Sequence, residues 1–247
     1  MVVQVEIIQA TANKRTGGII SKWGFPVSMP IQTIQFGDDG QVASREMLRR
    51  YDQLAAARPG RGGAELRRDL ATLEGLDRQY GGSAPVELEG TGDLVASLFA
   101  RLAAFGDPEL TIAVALWALR HQVEITAVEP VANALAERSN AAASRAELSA
   151  VAGLMHGVIG HVRDRLGADL ERSNPERPWR VLHANFAITA IRTEDPRLME
   201  LAFDALDAAL PDERANFYAE ALALALAPGI APEVRAALEA RHRRWTA

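Results

Sequence analysis

The chain is predicted to be mostly α-helical, with about ten helices stacked as antiparallel hairpins in a bundle or solenoid-like array and a short β-rich arm at its N-terminus. Three observations predict it. From Ser44 onward apolar residues recur at helical spacing, and glycine or proline punctuates the segments so marked. Several links are only a few residues long, which makes consecutive helices double back on one another. The beginning of the chain differs from the rest: it holds both lysines, Lys14 and Lys22, and before Ser44 the only alanines are Ala10, Ala12 and Ala43.

Within that beginning, Val2 to Ile8, Ile19 to Trp23 and Ile31 to Phe36 are short β-branched runs separated by Asn13, Gly17-Gly18, Pro26 and Pro30, the punctuation of strands and turns. Residues 1–43 are therefore expected to form the arm and residues 44–247 the helical domain. Met29 leaves an alternative in which residues 1–28 are an upstream extension of a shorter protein. Gly37-Asp38-Asp39-Gly40 is read as a tight turn, because it lacks the later ligands of a calcium loop.

The helices follow in order. Arg45 to Ala57 stops before Pro59-Gly60, Ala64 to Tyr80 stops at Gly81-Gly82, and Asp93 to Phe105 stops at Gly106. Asp107-Pro108 supplies an N-cap and an N1 proline for a helix through about Gln122, and Asp195-Pro196 does the same for one through about Leu210. Thr126 with Glu129, and Ser144 with Glu147, fit the capping box, the second opening the longest helix, from about Arg145 to Leu166. Further helices are expected over about Pro175 to Arg192, Asp212 to Ala227 and Pro232 to Trp245. The stretches Leu110 to Val123 and Trp179 to Ile191 are apolar nearly all round, which places them in the middle of the domain. The helix after Pro196, with Leu198, Leu201 and Ala205 on one side, belongs nearer the surface.

Composition limits the chemistry. A chain of 247 residues can bury a large core without staples. With no cysteine it can form no disulfide, thiolate metal site or cysteine nucleophile, which suits a reducing cytoplasm. A net charge of −5 argues against nucleic acid or an anionic membrane surface as the main partner. No apolar run approaches the ~20 residues that span a bilayer. Walker, Rossmann, nucleophile-elbow and HExxH patterns are absent, and the residues imply no metal site, no particular cofactor and no known family.

The best lead is a set of three glycines, Gly153, Gly157 and Gly160, inside the longest helix. Together they forfeit roughly 3 kcal/mol of helix propensity. At about 100° per residue they fall within roughly 60° of one another, a stripe of missing side chains beside His156. Close packing of another helix is the first expectation for such a stripe, and a ligand or partner surface the second. His156 and His161 point about 140° apart and cannot share a metal on a regular helix. His242 lies in an arginine-rich end expected to be solvated. His121 and His183 lie on the two central helices and are expected as neutral core residues unless they converge with His156 on the glycine stripe. Arg180, Asn185 and Thr189, on the second central helix, need partners if buried.

The leading functional expectation is a cytoplasmic bacterial interaction or accessory protein that docks a protein or peptide in a helical groove, with Phe217, Tyr218 and Trp245 as surface anchors and homo-oligomerisation as an option. The alternative is a helical enzyme or small-molecule-binding protein with a pocket over the stripe, His156 as general base, His183 as a second acid/base group and Arg180 as an anion clamp.

Overall fold

A computed structural model describes residues 40–246 apart from 59, 61, 82, 83, 167–176 and 228, with only the backbone of 41–43. The expected β-rich arm, and the turn before Gly40, lie outside the described residues. Within them there are ten helices and no strand: α1 Gly40–Ala57, α2 Ala64–Tyr80, α3 Thr91–Phe105, α4 Pro108–Arg120, α5 Val128–Asn140, α6 Arg145–Leu166, α7 Pro178–Thr193, α8 Pro196–Ala209, α9 Arg214–Ala225 and α10 Pro232–Thr246.

The caps explain most boundaries. Asp107 accepts a hydrogen bond from the Leu110 amide at 2.9 Å and Asp195 accepts from Arg197 and Leu198, each ahead of an N1 proline. Ser144 Oγ accepts from the Glu147 amide at 3.2 Å, while the Glu147 carboxylate reaches back to the Ala143 amide at 3.3 Å. The capping box expected of Thr126 and Glu129 fails. Ala127 is the N-cap of α5 and no side chain caps that helix, so Thr126 does not perform the role its spacing with Glu129 suggested. α7 starts at Pro178, three residues later than the expected Pro175.

Packing follows chain order. Each helix from α1 to α7 packs on the next, α9 packs on α10, and longer reaches join α1 to α4, α3 to α5, α4 to α6, α5 to α7 and α8 to α10. One continuous apolar core runs through the array from Met47 to Leu238. The two helices expected at its centre are there: Trp117 on α4 and Trp179 on α7 are 1% and 5% exposed. On α8 the buried face is Leu198, Met199, Ala202, Phe203 and Leu206, whereas Leu201 and Ala205 are only half-buried, so the helix is rotated from its expected setting. Leu198, Ala202 and Leu206 repeat every four residues with Met199 and Phe203 beside them, and this stripe carries the larger side chains.

Candidate functional site

The two central helices carry the same local arrangement with opposite outcomes. In each, a tryptophan stands one turn before a histidine, and the rings touch: centroids are 4.5 Å apart for Trp117 and His121, and 4.3 Å for Trp179 and His183. His121 is fully enclosed and fully engaged. Its Nδ1 donates to the Ala84 carbonyl at 2.6 Å, and its Nε2 meets the carboxylate of Asp77 on α2, itself fully buried. Arg120 brings its guanidinium within 3.4 Å of both Asp77 oxygens. The Val86 amide donates to the His121 carbonyl at 3.0 Å, so ring and backbone together pin the α2–α3 connection to the end of α4. His121 is therefore a structural clasp and has no free nitrogen to offer a ligand.

His183 is 2% exposed, and neither of its ring nitrogens has a hydrogen-bond partner. Burial, and then the positive fields of Arg163 and Arg177 and the neighbouring His156, push its pKa down to about 4, so the ring is neutral near pH 7. A neutral imidazole has one donor and one acceptor. Leaving both unmet in a protein interior costs on the order of 1–3 kcal/mol for each group.

His156 is on α6, half-buried, with its ring 5.7 Å from that of Phe186 on α7. Burial and Arg163 push its pKa below the usual histidine value. Arg163 lowers the pKa of both His156 and His183, and His156 lowers that of His183, while His121 is spent elsewhere.

The glycine stripe faces away from the core. α6 buries Leu148, Val151, Ala152, Met155, Val158, Ile159 and Val162, and on a helical wheel these centre about 160° from Gly153, Gly157 and Gly160. A Cβ added at Gly153 or Gly160 would meet nothing within 4 Å. No helix packs closely over these two positions, which overturns the first expectation for the stripe there. His156 lies on the border between the buried face and the open stripe.

The remaining expected residues are committed or turned away. Arg180 pairs through Nε with Glu213 at the start of α9, so its guanidinium already serves a carboxylate of the chain rather than an incoming anion. Asn185 has a buried side-chain nitrogen without a partner, but it is two residues from His183 and about 160° round α7, on the other side of the helix. Thr189 bonds Ser139 on α5 at 2.8 Å. His161 reaches the Val123 carbonyl at 2.9 Å, and Arg165 donates to the carbonyls of Ile125 and Thr126 at 2.8 and 3.0 Å, so one side of α6 holds the α4–α5 connection. Tyr218 is no surface anchor: it is fully buried and donates to Asp207 at 2.9 Å. Phe217 packs against the core and Trp245 is half-buried beneath Arg214, whose guanidinium lies 3.5 Å from its ring centre.

No protein-family model, curated protein or solved structure matches the chain. Among the described residues no group of three or more histidines and carboxylates is placed to hold a metal ion, and no helix is long and apolar enough to cross a membrane.

One group at this joint, Arg163, escaped the sequence reading. Arg163 is exposed, makes no ion pair among the described residues and stands seven residues after His156 on the same side of α6. That spacing of two turns was the available signal. Arg177, buried at the N-cap of α7, was legible in the sequence as the arginine six residues before His183 near a helix start.

Proposed function

We propose that the chain is a helical small-molecule-binding protein, equipped for proton transfer, whose site lies between α6 and α7 at His183 and extends past His156. The observation that carries this reading is His183. The fold satisfies a buried histidine completely at His121, yet leaves the equivalent ring on α7 with two unmet nitrogens at a cost in stability. Stability given up in this way is a common mark of a site that a ligand completes. The neutral ring can accept or donate a proton, and half-exposed His156 connects it to the outer face of α6.

The test is the intact mass of protein purified without denaturation, for the wild type and for His156→Gln and His183→Leu. A bound molecule present in the wild type and lost from both variants is the expected result. A bare polypeptide mass in all three, with the ring resonances of His156 and His183 unmoved by a panel of small molecules, counts against the reading.

Docking of a protein partner in the cytoplasm is the second reading, and one feature favours it. An open groove of about 570 Å³ runs along α1 and α2, lined by Arg45, Leu48, Arg49, Asp52, Gln53, Ala56 and Glu74. Its charges are largely matched within the chain, Asp52 with Arg67 at 2.8 Å and Glu74 with Arg45 at 3.9 Å, so Leu48 and Ala56 are what it offers a partner helix. A chain that runs as a monomer in size-exclusion chromatography and has no stoichiometric partner in native lysate opposes it.

A further inference from the structure

We infer that the groove along α1 and α2 receives an acidic amphipathic helix of another protein, its apolar stripe on Leu48 and Ala56 and its carboxylates among Arg45, Arg49 and Arg78. The inference rests on the docking reading above, is independent of the His183 site, and adds the chemistry of the partner.

The shape follows from the spacing along α1. Arg45, Leu48, Asp52 and Ala56 recur every three or four residues, so they share one face, and with Glu74 of α2 they border the open groove. From Arg45 to Ala56 that face rises about 16 Å, the length of three helical turns. Leu48 is half-buried against the core and Ala56 is exposed, and the two offer apolar surface a little over two turns apart. The apolar stripe of a second helix laid alongside repeats at the same interval.

The sign of the charge follows from how unevenly the two ends of the groove are matched. At one end Asp52 accepts two hydrogen bonds from Arg67, at 2.8 and 3.0 Å, and the pair is closed. At the other end the recessed carboxylate of Glu74 serves two arginines at once, Arg45 at 3.9 Å and Arg78 at 4.0 Å. Both separations are well beyond the about 2.7–2.9 Å of a charge-assisted hydrogen bond. Both guanidiniums are more than half exposed, and neither makes a hydrogen bond among the described residues. Arg49, one turn on from Arg45, is as exposed and pairs with Glu46 of its own helix. Three guanidiniums thus face two carboxylates here, and a carboxylate brought by a partner finds unspent donors.

Charge also selects among occupants. The beginning of this chain carries Glu6, Asp38 and Asp39 against Lys14, Arg15 and Lys22, so it brings no negative surplus. A second copy laid groove to groove would set arginine against arginine. A phosphate backbone gains nothing from Leu48 and Ala56 and is repelled by the net charge of −5.

The experiment adds the full chain to fluorescently labelled peptides of about three turns and reads their anisotropy. The probes are an acidic amphipathic peptide with leucines along one side and glutamates flanking them, the same peptide with glutamine for every glutamate, and a scrambled peptide of the acidic composition. The acidic peptide is expected to bind saturably, the glutamine peptide about tenfold more weakly for want of a charge-assisted contact, and the scrambled peptide more weakly still. Added salt should remove the advantage of the acidic peptide over the glutamine one. Arg45→Gln together with Arg78→Gln should bring the acidic peptide down to the affinity of the glutamine peptide, whereas Arg243→Gln on α10 should leave it unchanged. Ala56→Glu exchanges one exposed good helix former for another, so the variant keeps its fold, and it should weaken the acidic peptide about tenfold. A glutamine peptide that binds as tightly as the acidic one would overturn the inference and leave the docking groove standing. Affinity unmoved by the arginine pair and by Ala56→Glu would overturn the placement. Displacement of the acidic peptide by a synthetic copy of residues 1–39, or self-association of the chain that Ala56→Glu abolishes, would give the groove another occupant and overturn the inference. No saturable binding of any peptide at high micromolar concentration would overturn it and remove its support from the docking reading as well.

Discussion

At the scale of single residues, the contrast between His121 and His183 sets two expectations. His183 titrates near 4 in the folded chain against 6.5 when exposed, so the unfolded chain binds more protons between those values. Its contribution is complete above about pH 6.5 and is lost as pH falls toward 4, on the order of 3 kcal/mol in all. His156, shifted the same way, adds to the trend. Urea denaturation across that range should show the fall, and His183→Leu should flatten it while raising stability at pH 7 by about 1 kcal/mol, since two unmet polar groups disappear. Asp77→Ala should act in the opposite sense. It leaves Arg120 and His121 buried without their carboxylate, and the midpoint of denaturation should report a loss of about 3–5 kcal/mol. That both histidines are buried was legible from the faces of their helices. That one has a partner was not, because Asp77 comes from a helix far back in the chain, and no local pattern connects the two.

At the scale of elements, α6 is the helix whose sequence and structure disagree most usefully. The three glycines were correctly seen as one stripe, and close packing was expected over it. The apolar residues of the same helix, Leu148, Val151, Met155, Val158, Ile159 and Val162, already marked the opposite side as the buried one. Since nothing stands near Gly153 or Gly160, Gly153→Ala and Gly160→Ala should each stabilise the protein by about 0.5–1 kcal/mol, read as a higher denaturation midpoint with an unchanged slope. A loss of stability in either would mean that something does cover the stripe. Helix ends were the most legible feature, because Asp107-Pro108, Asp195-Pro196 and Ser144 act through neighbours a few residues away. Thr126 shows the boundary of that success: the spacing was right, but α5 begins after Ala127 and the hydroxyl caps nothing.

At the scale of the molecule, the last helices are fastened by a charge cluster that the sequence reading missed. Arg241 on α10 is 6% exposed and bonds Glu200, Asp204 and Asp207, which line one side of α8, while Tyr218 of α9 bonds Asp207 as well. The arginine-rich end was expected to be solvated, and for Arg241 that is incorrect: three carboxylates at i, i+4 and i+7 on α8 form its counterpart. Arg241→Ala leaves Asp207 nearly buried without its cation, and a loss of roughly 3 kcal/mol should appear first as faster amide exchange in α9 and α10. The helical class, the element order and the two central helices came from periodicity and punctuation, which are local. Which helices touch beyond their neighbours depends on side chains meeting across long separations, and periodicity carries no record of that.

An array held only by contacts between successive helices would come apart from either end, one layer at a time. The grip of His161 and Arg165 on the carbonyls of Val123, Ile125 and Thr126, together with the fork of Arg50 on Asp107 at 3.0 and 2.7 Å, ties early and late parts of the first six helices across intervening layers. Pulled from its termini, the chain should lose α10 and α9 once the grip of Arg241 on α8 gives way and then resist more strongly, with α1 to α6 yielding together as a single unit.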